Sequence, residues 1–229
     1  MVKVGVVLAG CGFLDGSEIH EAVLTLLFLD RAGAQVVCMA PDIAQKHVVD
    51  HRTFKPTGEQ RNVLAEAARI ARGKIVDIAV VQACDLDGVI LPGGFGAAKN
   101  LCDFATAGPN ATPHAEVARL VRDMHAAKKP IGAVCISPAV VASAFKGSAV
   151  HATMTIGEDA GTASALEAMG AVHVKCPVKE FRVDEANRVV TTPAYMYEAR
   201  IAEVAVGIEK LVGEVLRLAA AKKPAGARG

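Results

Sequence analysis

Short β-branched runs alternate with helical stretches along most of this 229-residue chain, and that alternation constrains the fold more than any other feature. KVGVVL opens at Lys3, an amphipathic stretch runs from Ser17 to Ala32, QVVCM starts at Gln35, and a helical pattern occupies Asn62 to Arg72. GVILPGG from Gly88 precedes a helix from His114 to Ala127, ended by Lys128, Lys129 and Pro130; IGAVC from Ile131 then runs into a helix opening at Ser137. Strands and helices alternating in this way form a parallel sheet covered by helices. Strands so uniformly apolar are buried on both faces, so the expected class is α/β.

The last third is less regular. Thr162 to Met169 reads as helix, Val172 to Val174 as extended chain, and FRVDEANRVVTT as a small C-terminal hairpin turning at Glu185 to Asn187. A long helix from Tyr197 to Ala221 closes the fold, and KKPAGARG, residues 222–229, reads as a frayed tail. His47 to Gln60 and Cys102 to Pro113 have no regular pattern, and loops of that length are often functional. With no repeat and no linker, residues 1–221 are expected to form one domain.

Charge and hydropathy exclude several partners. With 25 Lys plus Arg against 24 Asp plus Glu, the net charge is +1, which leaves no basic excess for nucleic acid. The longest uncharged run, Pro130 to Phe145, is shorter than the roughly 20 residues of a spanning helix and is interrupted by Gly132 and Pro138. No membrane association is expected. Because MVKVGVV leads straight into a strand, the expectation is a cytoplasmic protein. The six cysteines (Cys11, Cys38, Cys84, Cys102, Cys135, Cys176) lack the spacing of a zinc site or redox dithiol and read as mostly buried free thiols.

In an open parallel sheet, ligands bind beyond the carboxyl ends of the strands. Three segments are expected to meet there: GCGFLDGSEIHE, LPGGFGAAKN and VCISPA. Cys135, ending a strand just before a helix, has the placement of a nucleophile elbow, and a helix N-terminus would lower its pKa. It reads equally as a small buried cysteine finishing a core strand. Gly93 and Gly94 read either as a tight turn or, at Gly94 with the amide of Ile136, as an oxyanion hole. Asp15 followed by Glu18 fits a capping box. Glu21 is then left either as an acid that handles the thiol proton or as part of a solvated helix face.

GSEIHEAVLTLL, APD, LPGGFGAAKNL, VCISPA and TTPAYM together resemble the ElbB-type isoprenoid-biosynthesis-associated glyoxalases. These form part of the PfpI-like branch of the class I glutamine-amidotransferase-like superfamily. The resemblance runs from Lys3 to about Leu218. It implies a flavodoxin-like sheet sandwiched by helices, a catalytic cysteine falling on Cys135, and a thiol-paired glutamate falling on Glu21.

Two departures narrow the chemistry. Superfamily amidotransferases carry a late P-x-H-x-E, whereas TTPAYMYE has Tyr195 and Tyr197 and no histidine; the intracellular proteases place a histidine directly after the cysteine, where this chain has Ile136. His20, His114 and His151 remain as candidate partners in space, with Glu18 and Gly93 as accessory positions. A Cys and Glu pair suits an aldehyde. Thiolate attack on glyoxal gives a hemithioacetal, Glu21 moves a proton through an enediol, and the thioester is hydrolysed to glycolate. No metal or other cofactor is expected. The expected partners are a small aldehyde and a second copy of the chain. Two rivals stay open: a cysteine-based sensor without turnover, and an amidotransferase subunit that receives its histidine from a partner.

Overall fold

The computed structural model describes residues 1–221, so the expected frayed tail at 222–229 lies outside the described residues. The elements follow in chain order: β1 Lys3–Val7, α1 Ile19–Arg31, β2 Gln35–Ala40, β3 Val49–Asp50, β4 Lys55–Pro56, α2 Val63–Ile70, β5 Ile75–Asp77 and β6 Gly88–Leu91. Then come α3 Phe104–Ala107, α4 Ala115–Ala126, β7 Ile131–Val134, α5 Pro138–Phe145, β8 Thr153–Met154, α6 Ala160–Ala168, β9 Val172–His173, β10 Arg182–Asp184, β11 Val189–Thr192 and α7 Ile201–Ala220.

Seven strands form the main sheet in the order β10-β11-β7-β6-β1-β2-β5. All its pairs are parallel except β10 with β11. The architecture is thus the expected α/β class. β6, β7 and β11 are buried at every position, as continuous apolar runs require in a sheet covered on both faces.

Two apolar layers flank the sheet. Val6, Ile90, Val134 and Val190 pack with Ala22 and Leu29 of α1 and with Ile208, Leu211 and Val215 of α7. On the other side Val89, Leu91 and Ile131 pack with Leu120 and Met124 of α4 and Val140 and Val141 of α5.

The C-terminal hairpin is built into the sheet. Its second arm, β11, lies parallel to β7 with Thr192 opposite Val134. That pairing carries Pro193 to Tyr197 past the carboxyl end of β7. The irregular stretch from His47 holds a two-stranded hairpin, β3 with β4, and the stretch from Cys102 holds the single turn α3.

Candidate active site

β7, β6 and β1 are neighbours in the sheet, so the loops leaving their carboxyl ends meet, as such sheets require. The turn after β7 is the most constrained. Cys135 has φ +60°, a left-handed conformation that costs a non-glycine residue roughly 1–3 kcal/mol. Three hydrogen bonds hold it. The Cys135 N–H donates to Thr192 O at 2.9 Å and the Ser137 N–H to Val134 O at 3.0 Å. The buried Ser137 hydroxyl donates to Pro92 O at 2.7 Å.

The loop after β6 passes against this turn at two glycines. A Cβ on Gly93 would lie 2.5 Å from the Cβ of Cys135 and 2.7 Å from Glu21 Oε2, so any side chain there would drive thiol and acid apart. Gly94 has φ +94°, and a Cβ on it would lie 2.3 Å from the Glu18 nitrogen. The backbones of the two loops pair in this gap, with the Glu18 N–H donating to Gly93 O at 2.9 Å.

Glu21 sits one turn into α1, pointing inward and fully buried. Its Oε2 accepts the Gly93 N–H at 2.9 Å, its Oε1 accepts the Tyr195 N–H at 3.3 Å, and its carboxyl lies close enough to the Cys135 thiol for its charge to oppose the thiol's ionisation. The structure thereby brings together Glu21, Gly93, Gly94, Cys135 and Ile136. Burial, then the charge of Glu18, push the Glu21 carboxyl up to about 8, against the pull of the Tyr195 amide, Cys135 and the Gly93 amide.

The Cys135 thiol is pushed well above its ordinary value, first by burial and then by the charge of Glu21, while the N–H groups of Gly94 and Ile136 pull it down. This corrects the expectation of a thiol acidified by a helix end: in so dry a pocket, desolvation outweighs two amide dipoles. The pair therefore holds both its protons in its main form at neutral pH.

The capping box also needs correction. Asp15 turns inward, its Oδ2 accepting the Val49 N–H at 2.7 Å. Glu18 caps α1 by itself, its carboxyl accepting the Glu21 N–H at 2.6 Å. Residue spacing alone could not separate the two, since both are acids before the same helix.

Of the candidate histidines, His20 lies nearest. Its Nδ1 is 2.9 Å from the Tyr195 hydroxyl and 3.9 Å from Glu18 Oε1. His114 is the N-cap residue of α4, and His151 donates from Nδ1 to Gly170 O at 2.8 Å. Neither borders the cavity onto which Cys135 opens. That cavity, about 400 Å³, is lined by Glu18, Gly94, Cys135 and Ile136, and also by Phe13, Phe95, Phe104, Asp159, Thr162, Tyr195 and Met196.

Sequence reading missed Asp159, Thr162 and the aromatic wall. Phe104 nevertheless falls within the irregular stretch from Cys102 that had been singled out. The other irregular stretch acts indirectly, since His51 and Phe54 pack edge-on against Phe13 at 5.3 and 6.1 Å.

All six cysteines are free; Cys38, Cys102, Cys135 and Cys176 are buried, Cys11 is half-buried and Cys84 is exposed. Among the described residues no group of three or more His, Cys, Asp or Glu is placed to hold a metal ion. Among them, too, no helix is long and apolar enough to cross a membrane.

This sheet order, with a cysteine on the strained turn after β7, places the chain in the amidotransferase-like fold of DJ-1, ThiJ and PfpI proteins. A DJ-1beta structure from Drosophila melanogaster shares that fold, with a TM-score of 0.51 over 96% of this chain and of its own, at 21% identity. Much nearer is the crystal structure of an isoprenoid biosynthesis protein with an amidotransferase-like domain from Ehrlichia chaffeensis. It is 41% identical, with a TM-score of 0.89 over 95% of this chain and 99% of its own.

The ES1 protein homolog of Rattus norvegicus and the glutamine amidotransferase-like class 1 domain-containing protein 3 of Homo sapiens are each 47% identical over 226 residues. The match spans 94% of this chain and 84% and 83% of theirs. The chain belongs to this family of ES1 and glutamine amidotransferase-like class 1 proteins. No protein-family model matches it.

The expectation of a cytoplasmic protein is overturned here, because these relatives and the ES1 protein of Danio rerio, 33% identical, are named mitochondrial. Compartment is set by a targeting step, of which a folded domain keeps no record.

Proposed function

We propose that the chain is a cofactor-independent glyoxalase that converts glyoxal to glycolate through a hemithioacetal on Cys135. The observation that carries this reading is the close placement, across Gly93, of a buried acid and a cavity-facing thiol, beside the backbone N–H groups of Gly94 and Ile136. Loss of one proton leaves a single negative charge shared between carboxyl and sulfur. The sulfur then adds to the aldehyde carbon while the Glu21 proton passes to the carbonyl oxygen. The carboxylate so formed removes the hydrogen on that carbon and returns it to the neighbouring carbon through an enediol. Water cleaves the resulting thioester and restores the thiol. One glyoxal and one water give one glycolic acid, and no electron leaves the substrate.

The rival readings have less support. A sensor cysteine is oxidised in proportion to its thiolate character, and here burial holds the proton on. Glutamine hydrolysis needs a base, but Tyr195 occupies the late stretch and engages His20 instead of the thiol. We further propose self-association, supported by the exposed stripe Ile19, Val23 and Leu27 along α1.

Purified protein given glyoxal without glutathione should accumulate glycolate, and it should release no ammonia from glutamine. Glycolate formed equally fast by Cys135→Ala would remove the thiol from the reaction.

A further inference from the structure

We propose that the cavity selects uncharged carbonyl compounds bearing an apolar substituent, with Phe13, Phe95 and Phe104 receiving the substituent and Glu18 and Asp159 turning anions away. The proposal rests on the thiol chemistry read above and names its substrate class.

Size is the first argument. A cavity of about 400 Å³ lies within the roughly 300–1,000 Å³ of sites that enclose ligands much larger than a two-carbon dialdehyde. Glyoxal, with four non-hydrogen atoms, would leave most of it to water.

The lining is the second. The chain has seven Phe, two Tyr and no Trp, yet Phe13, Phe95, Phe104 and Tyr195 all border this one cavity. Phe13 and Phe95 are 38% and 50% exposed. Large apolar side chains left open around one hollow mark a binding surface rather than core.

Charge is the third. The ionisable side chains in the lining, apart from the thiol and the Tyr195 phenol, are the carboxyls of Glu18 and Asp159, and no Lys or Arg is among them. Asp159 accepts the Thr162 N–H at 2.7 Å, and bonds from Thr162 hold its carboxyl below the ordinary value, so it is charged at neutral pH. One cation and one histidine lie nearby but outside the lining. The ammonium of Lys99 sits 5.5 Å over the Phe95 ring and donates to Leu14 O at 2.8 Å. His20 faces Glu18 with its Nδ1 hydrogen-bonded to the Tyr195 hydroxyl. An anion entering the cavity thus meets like charge, and no cationic side chain lines the cavity to offset its lost hydration.

The test compares kcat/KM for phenylglyoxal, glyoxal and 4-carboxyphenylglyoxal, which differs from the first by one charge. Alongside it, the Cys135 peptide is mapped after labelling with iodoacetamide, N-benzyliodoacetamide or iodoacetate, with mercaptoethanol as reference thiol. Phenylglyoxal should exceed both other substrates at least tenfold. Relative to mercaptoethanol, Cys135 should favour the benzyl reagent, and disfavour iodoacetate, at least tenfold.

The double variant Glu18→Gln, Asp159→Asn should narrow the penalty on the carboxylated substrate to below threefold. Phe104→Ala should raise KM for phenylglyoxal but not for glyoxal. If no aldehyde is turned over and the labelling preferences hold, the cavity selects as proposed and the glyoxalase reading falls. If glyoxal is turned over but the carboxylated substrate matches phenylglyoxal, or labelling at Cys135 follows mercaptoethanol, the selection is overturned while the reaction stands.

Discussion

Cys38 and Cys135 are both buried cysteines near the carboxyl ends of parallel strands of one sheet, yet only one has company. Cys38 lies within β2, opposite Val6, and burial alone pushes its thiol up to about 11. Cys135 stands one residue beyond β7, where φ +60° turns its sulfur out of the sheet toward Glu21 and the amides of Gly94 and Ile136. Burial by itself makes a thiol inert. What distinguishes the second site is a backbone turn that gives the sulfur somewhere to send its proton and two dipoles to hold the charge left behind.

The largest effect expected from this contrast is on turnover. Cys135→Ala should reduce glycolate formation to background, while Cys38→Ala should keep the wild-type rate, measured by steady-state assay on both variants. Loss of activity in Cys38→Ala would mean that the two cysteines had been assigned the wrong way round.

Next comes the acid. Glu21→Gln preserves the shape and can still accept hydrogen bonds, but it cannot carry a proton between carbons. General acid/base transfer contributes about 100- to 10,000-fold, so turnover should fall by at least about 100-fold. A near-normal rate would return Glu21 to a purely structural role.

How much of this contrast was legible in the sequence follows from what each part depends on. The presence of the strands and their burial rest on local apolar runs such as GVIL and IGAV, which are visible at a glance. The turn at Cys135 was readable because strand, cysteine, Ser137 and Pro138 are adjacent in the chain. Tyr195 was not: its amide reaches Glu21 across 174 positions, and its place is set by β11 pairing with β7, a register that no local pattern announces. The direction of the Cys135 pKa was misread for a related reason. A helix end is a sequence feature, but the desolvation that outweighs it comes from side chains spread over the whole chain.

Alkylation as a function of pH sharpens the comparison further. Below its pKa a thiol gains about tenfold in thiolate per pH unit. Cys135 shares its first ionisation with Glu21, so its labelling by iodoacetamide should climb to a bend near pH 8. Cys38 should climb without a bend toward about 11. In Glu21→Gln the bend should vanish and labelling of Cys135 should go on climbing above pH 8, because the carboxylate charge that opposed its ionisation there is gone. A bend that survives in Glu21→Gln would place the shared proton elsewhere. Peptide mapping is needed throughout, since the exposed Cys84 also reacts.

The smallest expected effect is thermodynamic, and its sign is fixed. Glu21 is raised in the folded protein from 4.5 to about 8, so folding favours its neutral form. Its contribution to stability is fully present below the unfolded value near 4.5 and is lost as pH rises through about 8. Glutamine has no proton to lose. The melting temperature of Glu21→Gln relative to wild type should therefore be flat below about pH 4.5, climb as pH rises toward about 8 and level off above it. Each 1 kcal/mol shifts the midpoint by about 2–4 °C in a chain of this size, so the climb should be at least of that order. Cys38→Ala offers the control, because its titration near 11 lies beyond the window and its offset from wild type should stay constant. A Glu21→Gln offset that is equally constant would show that the carboxyl is charged in the folded protein. The proton shared with Cys135 would then be absent.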